Sequence, residues 1–166
     1  MSLDNIQLPS SIIAGLYNKS LYDLNPYEPE QISTLDNNIS FLGDNIKRIT
    51  ILVDDKEAIY LADDQLSFLL GILTACKLTM ADVAVINLDK NQLCTYKEIS
   101  NTLKPEKVLL FGLSPDTVGL PLQFPHYQIQ HFNNQVYLSS ASLLQLQADK
   151  AEKMKLWNCL KKIFSI

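Results

Sequence analysis

An α/β domain built on a mainly parallel sheet is the fold that this sequence predicts. Three observations carry the prediction. Ile49-Thr50-Ile51-Leu52-Val53, Val83-Ala84-Val85-Ile86-Asn87 and Val108-Leu109-Leu110-Phe111 are short, nearly continuous apolar runs. Such runs mark strands buried on both faces, which parallel sheets require. Helical periodicity fills the intervals between them. Strand, helix, strand, helix, strand is the order of right-handed crossover units.

The elements follow in order. Residues 1–45 are polar, acidic and rich in turn formers, among them Asn25-Pro26, Glu28-Pro29 and Asp36-Asn37-Asn38. One segment there has a helical pattern. Pro9 suits a first turn, and Ile12, Ile13, Leu16, Tyr17 and Leu21 fall at helical spacing. Gly15 weakens that helix by ~1 kcal/mol relative to Ala. The stretch from Tyr22 to Asn45 follows as an extended acidic loop. The organisation expected is an N-terminal helix with an extended segment over 1–45 and a single α/β domain over 46–166.

In that domain Asp54-Asp55 ends the first strand, and Asp63-Asp64 suits the start of the first helix, where acids favour the N-terminus. Leu66, Leu69, Leu70 and Leu73 form its apolar face. After the second strand, Tyr96 to Leu103 is a short helix stopped before Pro105. Gly112 allows a sharp turn after the third strand. Tyr127–Phe132 and Gln135–Leu138 form two further strands around the Asn133-Asn134 turn. A last helix runs from about Asp149 to Phe164, with Met154, Trp157, Leu160 and Phe164 on one stripe and Leu156 and Ile163 alongside.

Composition excludes several classes. The chain has 166 residues, 47% of them hydrophobic, and a net charge of -4, enough for one packed core and wrong in sign for a basic nucleic-acid binder. Lys19 is the one basic residue of the first 46, whereas Lys150, Lys153, Lys155, Lys161 and Lys162 gather at the C-terminus. There they solvate a helix face and complement its dipole, and direct nucleic-acid contact stays open. Cys76, Cys94 and Cys159 lack metal or disulfide spacing and fit a reducing cytoplasm. No basic region precedes an apolar run at the N-terminus, and Leu66–Cys76 is too short to span a bilayer. A cytoplasmic chain without membrane contact is expected.

Catalytic motifs are missing from the sequence. It contains no Gly-x4-Gly-Lys-Ser/Thr, no Gly-x-Gly-x-x-Gly after a strand and no Gly-x-Ser-x-Gly. His126 and His131 are five apart, so in one strand they face opposite ways and share no metal. Asp54 and Asp55 sit just past the carboxyl end of a strand, where open parallel sheets place ligands. A carboxylate there could activate water; solubilising charge is the plainer reading.

The order of elements resembles the uracil-DNA glycosylase superfamily. The resemblance rests on the Leu66–Asn87 segment, with its Lys77-Leu78-Thr79-Met80-Ala81-Asp82-Val83 link and a strand ending in Asn87. It continues in Pro105-Glu106-Lys107-Val108-Leu109-Leu110-Phe111-Gly112, which is similar to that family's Pro-x-x-Ile-Val-x-Leu-Gly strand. Ser139-Ser140-Ala141 falls where the enzymes carry His-Pro-Ser, and Lys153 with Leu156-Trp157-Asn158-Cys159-Leu160 is similar to their terminal helix. The likeness covers about residues 60–164. It implies a three-layer α/β/α fold with a degenerate pocket formed by Asp54, Asp55, Asn87, Gly112, Ser139 and Ser140.

The departures bear on function. An early Gly-rich motif with a water-activating acid is not found, and neither Ser nor Ala replaces an imidazole that stabilises developing charge. The resemblance therefore implies a protein without catalysis, cofactor or metal. A non-catalytic family of this architecture, the psi subunits of bacterial DNA polymerase III, is similar in size and in its closing Leu-Trp helix. That likeness implies a protein-binding accessory whose partners are replication clamp-loader components, with Ile12, Ile13, Leu16 and Tyr17 as anchors in a partner's groove. The alternative is a divergent glycosylase-like hydrolase using Asp54 or Asp55 with His126 or His131.

Overall fold

The three continuous apolar runs lie side by side as strands β1 (Ile49–Val53), β2 (Val83–Asn87) and β3 (Lys107–Phe111). The computed structural model describes residues 39–166. Two further strands, β4 (Ile129–Phe132) and β5 (Gln135–Ser140), complete a five-stranded sheet in the order β2-β1-β3-β5-β4. β2, β1, β3 and β5 are parallel, and β4 pairs antiparallel with β5. Four helices accompany them: α1 (Asp63–Ala75), α2 (Tyr96–Leu103), α3 (Leu143–Ala148) and α4 (Lys150–Phe164). The fold is α/β with a mostly parallel sheet.

Side chains alternate across a strand, so each buried strand feeds two cores. Ile49, Ile51, Val53, Val83, Val85 and Leu109 join one apolar cluster with Leu69 and Leu73 of α1, Leu146 of α3 and Leu160 of α4. Leu52, Ala84, Ile86, Val108, Leu110 and Tyr137 join the other, with Ile99 and Leu103 of α2 and the Leu113–Phe124 connection. Both clusters draw on residues next to each other in β1, which explains why that strand has no solvent-facing position.

The described residues before β1 pack with the sheet. Leu42 bridges the outer edge of β2 through paired bonds with Val85 of 2.9 and 2.8 Å, and Ile39 is buried in the core. Gly43 makes this approach possible. Its φ is +106°, and a Cβ there would lie 2.2 Å from the Val83 carbonyl oxygen.

Local signals set the helix ends. Thr95 caps α2 and closes a capping box with Glu98, and Lys104 in left-handed conformation stops that helix before Pro105. Asp149 caps α4 by accepting the Ala151 and Glu152 N–H groups. Asp63 and Asp64 only occupy the first turn of α1; its capping residue is Ala62. β4 starts at Ile129 because Tyr127 has φ +64°, which breaks the extended run expected from 127.

Two apolar stripes differ from expectation. On α4 the buried residues are Leu156, Cys159 and Leu160, while Met154 is 59% exposed. On α1 Leu70 is 40% exposed, and Leu69 and Leu73 carry the packing. α3 was not expected at all. Ser142 starts it in a capping box with Gln145, so residues 143–148 turn into a helix where the family resemblance suggested only a motif.

Thr50 is fully buried in β1, and its hydroxyl has no hydrogen-bond partner among the described residues. An unmatched buried hydroxyl costs ~1–3 kcal/mol. Thr50→Val keeps shape and removes that cost, so it should raise the unfolding free energy by about 1 kcal/mol. Leu110→Ala, at a site with no exposure, should lower it by about 2–5 kcal/mol. Urea denaturation of both variants checks the pair, and a destabilised Thr50→Val would contradict it.

Candidate functional site

The carboxyl ends of the parallel strands are where open α/β sheets place ligands. The residues that sequence reasoning assigned to a degenerate pocket lie there, in two groups. Asp55 and Asn87 meet beyond β1 and β2. Gly112, Ser139 and Ser140 meet beyond β3 and β5. The anchors Ile12, Ile13, Leu16 and Tyr17 lie outside the described residues.

Asn87 has no solvent exposure. Its Oδ1 accepts the Asp55 N–H at 3.0 Å and the Asp89 N–H at 3.2 Å. Its Nδ2 donates to the carbonyl oxygens of Asp55, Ala58 and Ile59 at 2.7, 3.0 and 3.3 Å. The carboxamide therefore spends both its donor and acceptor capacity on backbone groups. Asp55, 9% exposed, accepts the N–H groups of Glu57 and Ala58 on Oδ1 and of Ala62 on Oδ2, at 3.0, 3.1 and 2.9 Å. Through Ala62 it serves the start of α1, the task the sequence assigned to Asp63 and Asp64. Burial opposes ionisation of Asp55. The three amides from Ala58, Glu57 and Ala62, with the charge of Lys90, outweigh burial and hold its carboxyl below the usual range.

Beyond β3 and β5 the hydroxyls are equally engaged. Ser139 is 1% exposed and donates to the Leu113 carbonyl at 3.0 Å. Ser140, also 1% exposed, donates to the Ala141 carbonyl at 3.2 Å. Gly112 has φ +69°, and its N–H donates to the Ser140 carbonyl at 2.9 Å. A Cβ on Gly112 would lie 2.8 Å from the Ser142 Cβ, so the turn is packed shut by the start of α3.

Asp54 differs from the rest. It is exposed and lines a shallow cleft of about 220 Å³ with Leu88, Asp89, Asn91, Gln92, Cys94 and Thr117. Asp89 already pairs with Lys90 at 2.9 Å. Burial, then the Glu98 charge, push the Cys94 thiol up to about 11, so it stays protonated and poorly nucleophilic.

Sequence reasoning missed one contact. It weighed His126 only against His131, and the structure brings His126 Nδ1 to 3.0 Å from Ser139 Oγ. With the Ser139 proton donated to Leu113, Nδ1 is the donor in this contact. The ring borders a cleft of about 530 Å³ with Ala141, Gln145, Ala148, Asp149 and Glu152. Glu152 is held by Lys155 at 2.7 Å. No short-range signal links positions 126 and 139; the β4–β5 hairpin alone joins them. His131 lies on β4, exposed and away from this contact. Among the described residues no group of three or more His, Cys, Asp or Glu side chains could hold a metal ion, and no helix is long and apolar enough to cross a membrane.

No family model matches the chain, and no curated protein matches it.

Asn87→Asp places a carboxylate against three carbonyl oxygens and should lower the unfolding free energy by about 3 kcal/mol or more. Asp55 has its pKa depressed on folding. Its contribution is complete above the ordinary value of 3.8 and is lost as pH falls through the folded value. Asp55→Asn should therefore be less stable at neutral pH and lose stability less steeply below about pH 4. Denaturant titrations across that range measure both effects; identical acid limbs for the two proteins would contradict the assignment.

Proposed function

We propose that the chain is a non-catalytic, protein-binding subunit with a three-layer, glycosylase-like fold, acting in the bacterial cytoplasm as a psi-type accessory of the replication clamp loader. One observation carries the non-catalytic part. Asp55, Asn87, Ser139 and Ser140 have their polar side chains committed to internal backbone groups at the place where such a fold would receive a base. The partner assignment rests on the sequence resemblance, with Ile12, Ile13, Leu16 and Tyr17 as the anchors.

The test is capture of purified clamp-loader subunits by the immobilised full chain and by its Ile12→Asp, Leu16→Asp variant. Losing two apolar anchors, each worth ~1.5–3 kcal/mol, should weaken capture by at least about a hundredfold. Equal recovery with both proteins would end the anchor assignment.

A second reading is favoured by the His126–Ser139 contact. It returns an imidazole to the segment where the resemblance has Ser139-Ser140-Ala141 in place of a histidine. Under that reading the chain is a divergent glycosylase-like hydrolase with His126 and Asp54 as its working groups. Release of uracil from single-stranded DNA, abolished by His126→Ala and by Asp54→Asn, would establish it against the first reading.

A further inference from the structure

The net charge of -4 belongs to the whole chain, and the fold sorts the charges by place. Residues 39–166 hold thirteen basic and thirteen acidic side chains, so this part is neutral. Its two signs separate along the strand axis. Ten of the acids lie past the carboxyl ends of the strands or at the starts of helices. At the opposite end the chain enters β1, β2 and β3, and α1, α2 and α4 finish. That end holds seven basic side chains and three acidic ones.

The basic end is one continuous surface. The Lys47 N–H donates to the Asp82 carbonyl at 3.0 Å, and its ammonium pairs with the Asp82 carboxylate at 3.2 Å. The Arg48 carbonyl accepts the Glu106 and Lys107 N–H groups at 2.7 and 3.3 Å, and its guanidinium pairs with Glu106 at 3.7 Å. The Lys107 ammonium lies 5.8 Å from the centroid of the Phe164 ring, which brings the end of α4 to the start of β3. Asp82 and Glu106 are thus matched, and Asp44 is the third acid. Lys77, Lys104, Lys107, Lys161 and Lys162 have no ion-pair partner among the described residues. All but Lys107 are exposed and sit at helix C-termini, where a lysine complements the dipole. Three such ends carry ~0.5 negative charge each and leave the surface positive.

Charge density gives the occupant. Lys104 ends α2 on one side of the sheet, and Lys161 and Lys162 end α4 on the other. Two packing distances of ~10 Å make that span about 20 Å. An extended polypeptide shows one face a side chain every ~6.8 Å, so it brings at most about three acids to the span. A nucleic-acid strand brings one phosphate per ~3.4 Å, about six in all. Five unpaired lysines match the second. We propose that this end of the domain binds the phosphate backbone of a nucleic acid, without reading its bases. The contact goes beyond the protein-binding role and uses the end of the sheet opposite Asp55, Asn87 and Ser139.

Fluorescence anisotropy of labelled oligothymidine and of a labelled duplex, titrated with the full chain, tests this. Binding should fall in the range of ~1–100 µM at about 50 mM salt. Five phosphate contacts to a single strand should cost roughly a hundredfold in affinity between about 50 and about 200 mM. The triple variant Lys77→Glu, Lys104→Glu, Lys161→Glu should bind at least tenfold more weakly. The triple variant Lys56→Glu, Lys97→Glu, Lys150→Glu has the same net charge. It should bind within about twofold of wild type at 0.1 M salt, because its changes lie a strand length of ~17 Å away, beyond the Debye length of ~10 Å. Thermal unfolding checks that each variant is folded, and Lys77→Gln, Lys104→Gln, Lys161→Gln replaces the first triple should it unfold. Failure of both oligonucleotides to bind at low salt overturns the proposal. Equal weakening by the two triples overturns it too, since net charge alone would then act. Displacement of the labelled strand by polyglutamate as readily as by unlabelled strand overturns the choice of nucleic acid over an acidic polypeptide.

Discussion

Asn87 closes β2, opposite Val53 in the parallel ladder, and its carboxamide ties the β1–α1 connection to the β2–α2 connection. A parallel sheet ends in loops that leave the strands in one direction, and their backbone groups need partners once buried. Here one side chain supplies five of those bonds. Asp55 is held by them and in turn holds Ala62, which starts α1. The placement of α1 on its face of the sheet, and with it the core around Leu69 and Leu73, depends on that chain of contacts.

The same economy removes reactive groups from the strand ends. A carboxylate that accepts three amide N–H groups is stabilised as an anion and is a weak base. A serine hydroxyl donated to a carbonyl in a buried site lacks the base that a nucleophile needs. Asp54 and His126 face clefts, though different ones. The residues that position at a strand end singled out are thus employed in holding the loops.

The sheet strands were legible because burial on both faces leaves no room for polar positions. β1 and β2 have the bounds that their apolar runs suggest, and β3 gains only Lys107. The caps were less legible: Asp63 and Asp64 only occupy the first turn of α1, and α3 was overlooked although Ser142 and Gln145 stand three apart in the usual capping arrangement. Met154 was misplaced because the expected stripe shares Leu160 with the buried row of Leu156, Cys159 and Leu160 but otherwise runs along its side. The roles of Asp55 and Asn87 were hidden for a different reason. They are 32 residues apart, and only the β1–β2 register brings them together. Position at a strand end pointed to both residues, and contact geometry decided that they build the loops.

Hydrogen exchange of the amides held by these two side chains tests that role most directly. The N–H groups of Asp55, Glu57, Ala58, Ala62 and Asp89 should exchange as slowly as those of the central strand β1, opening only when the domain unfolds. Exchange at the rate of exposed loops would contradict the account, because it would mean that the strand ends open in the native state and that Asp55 and Asn87 are free to meet a ligand.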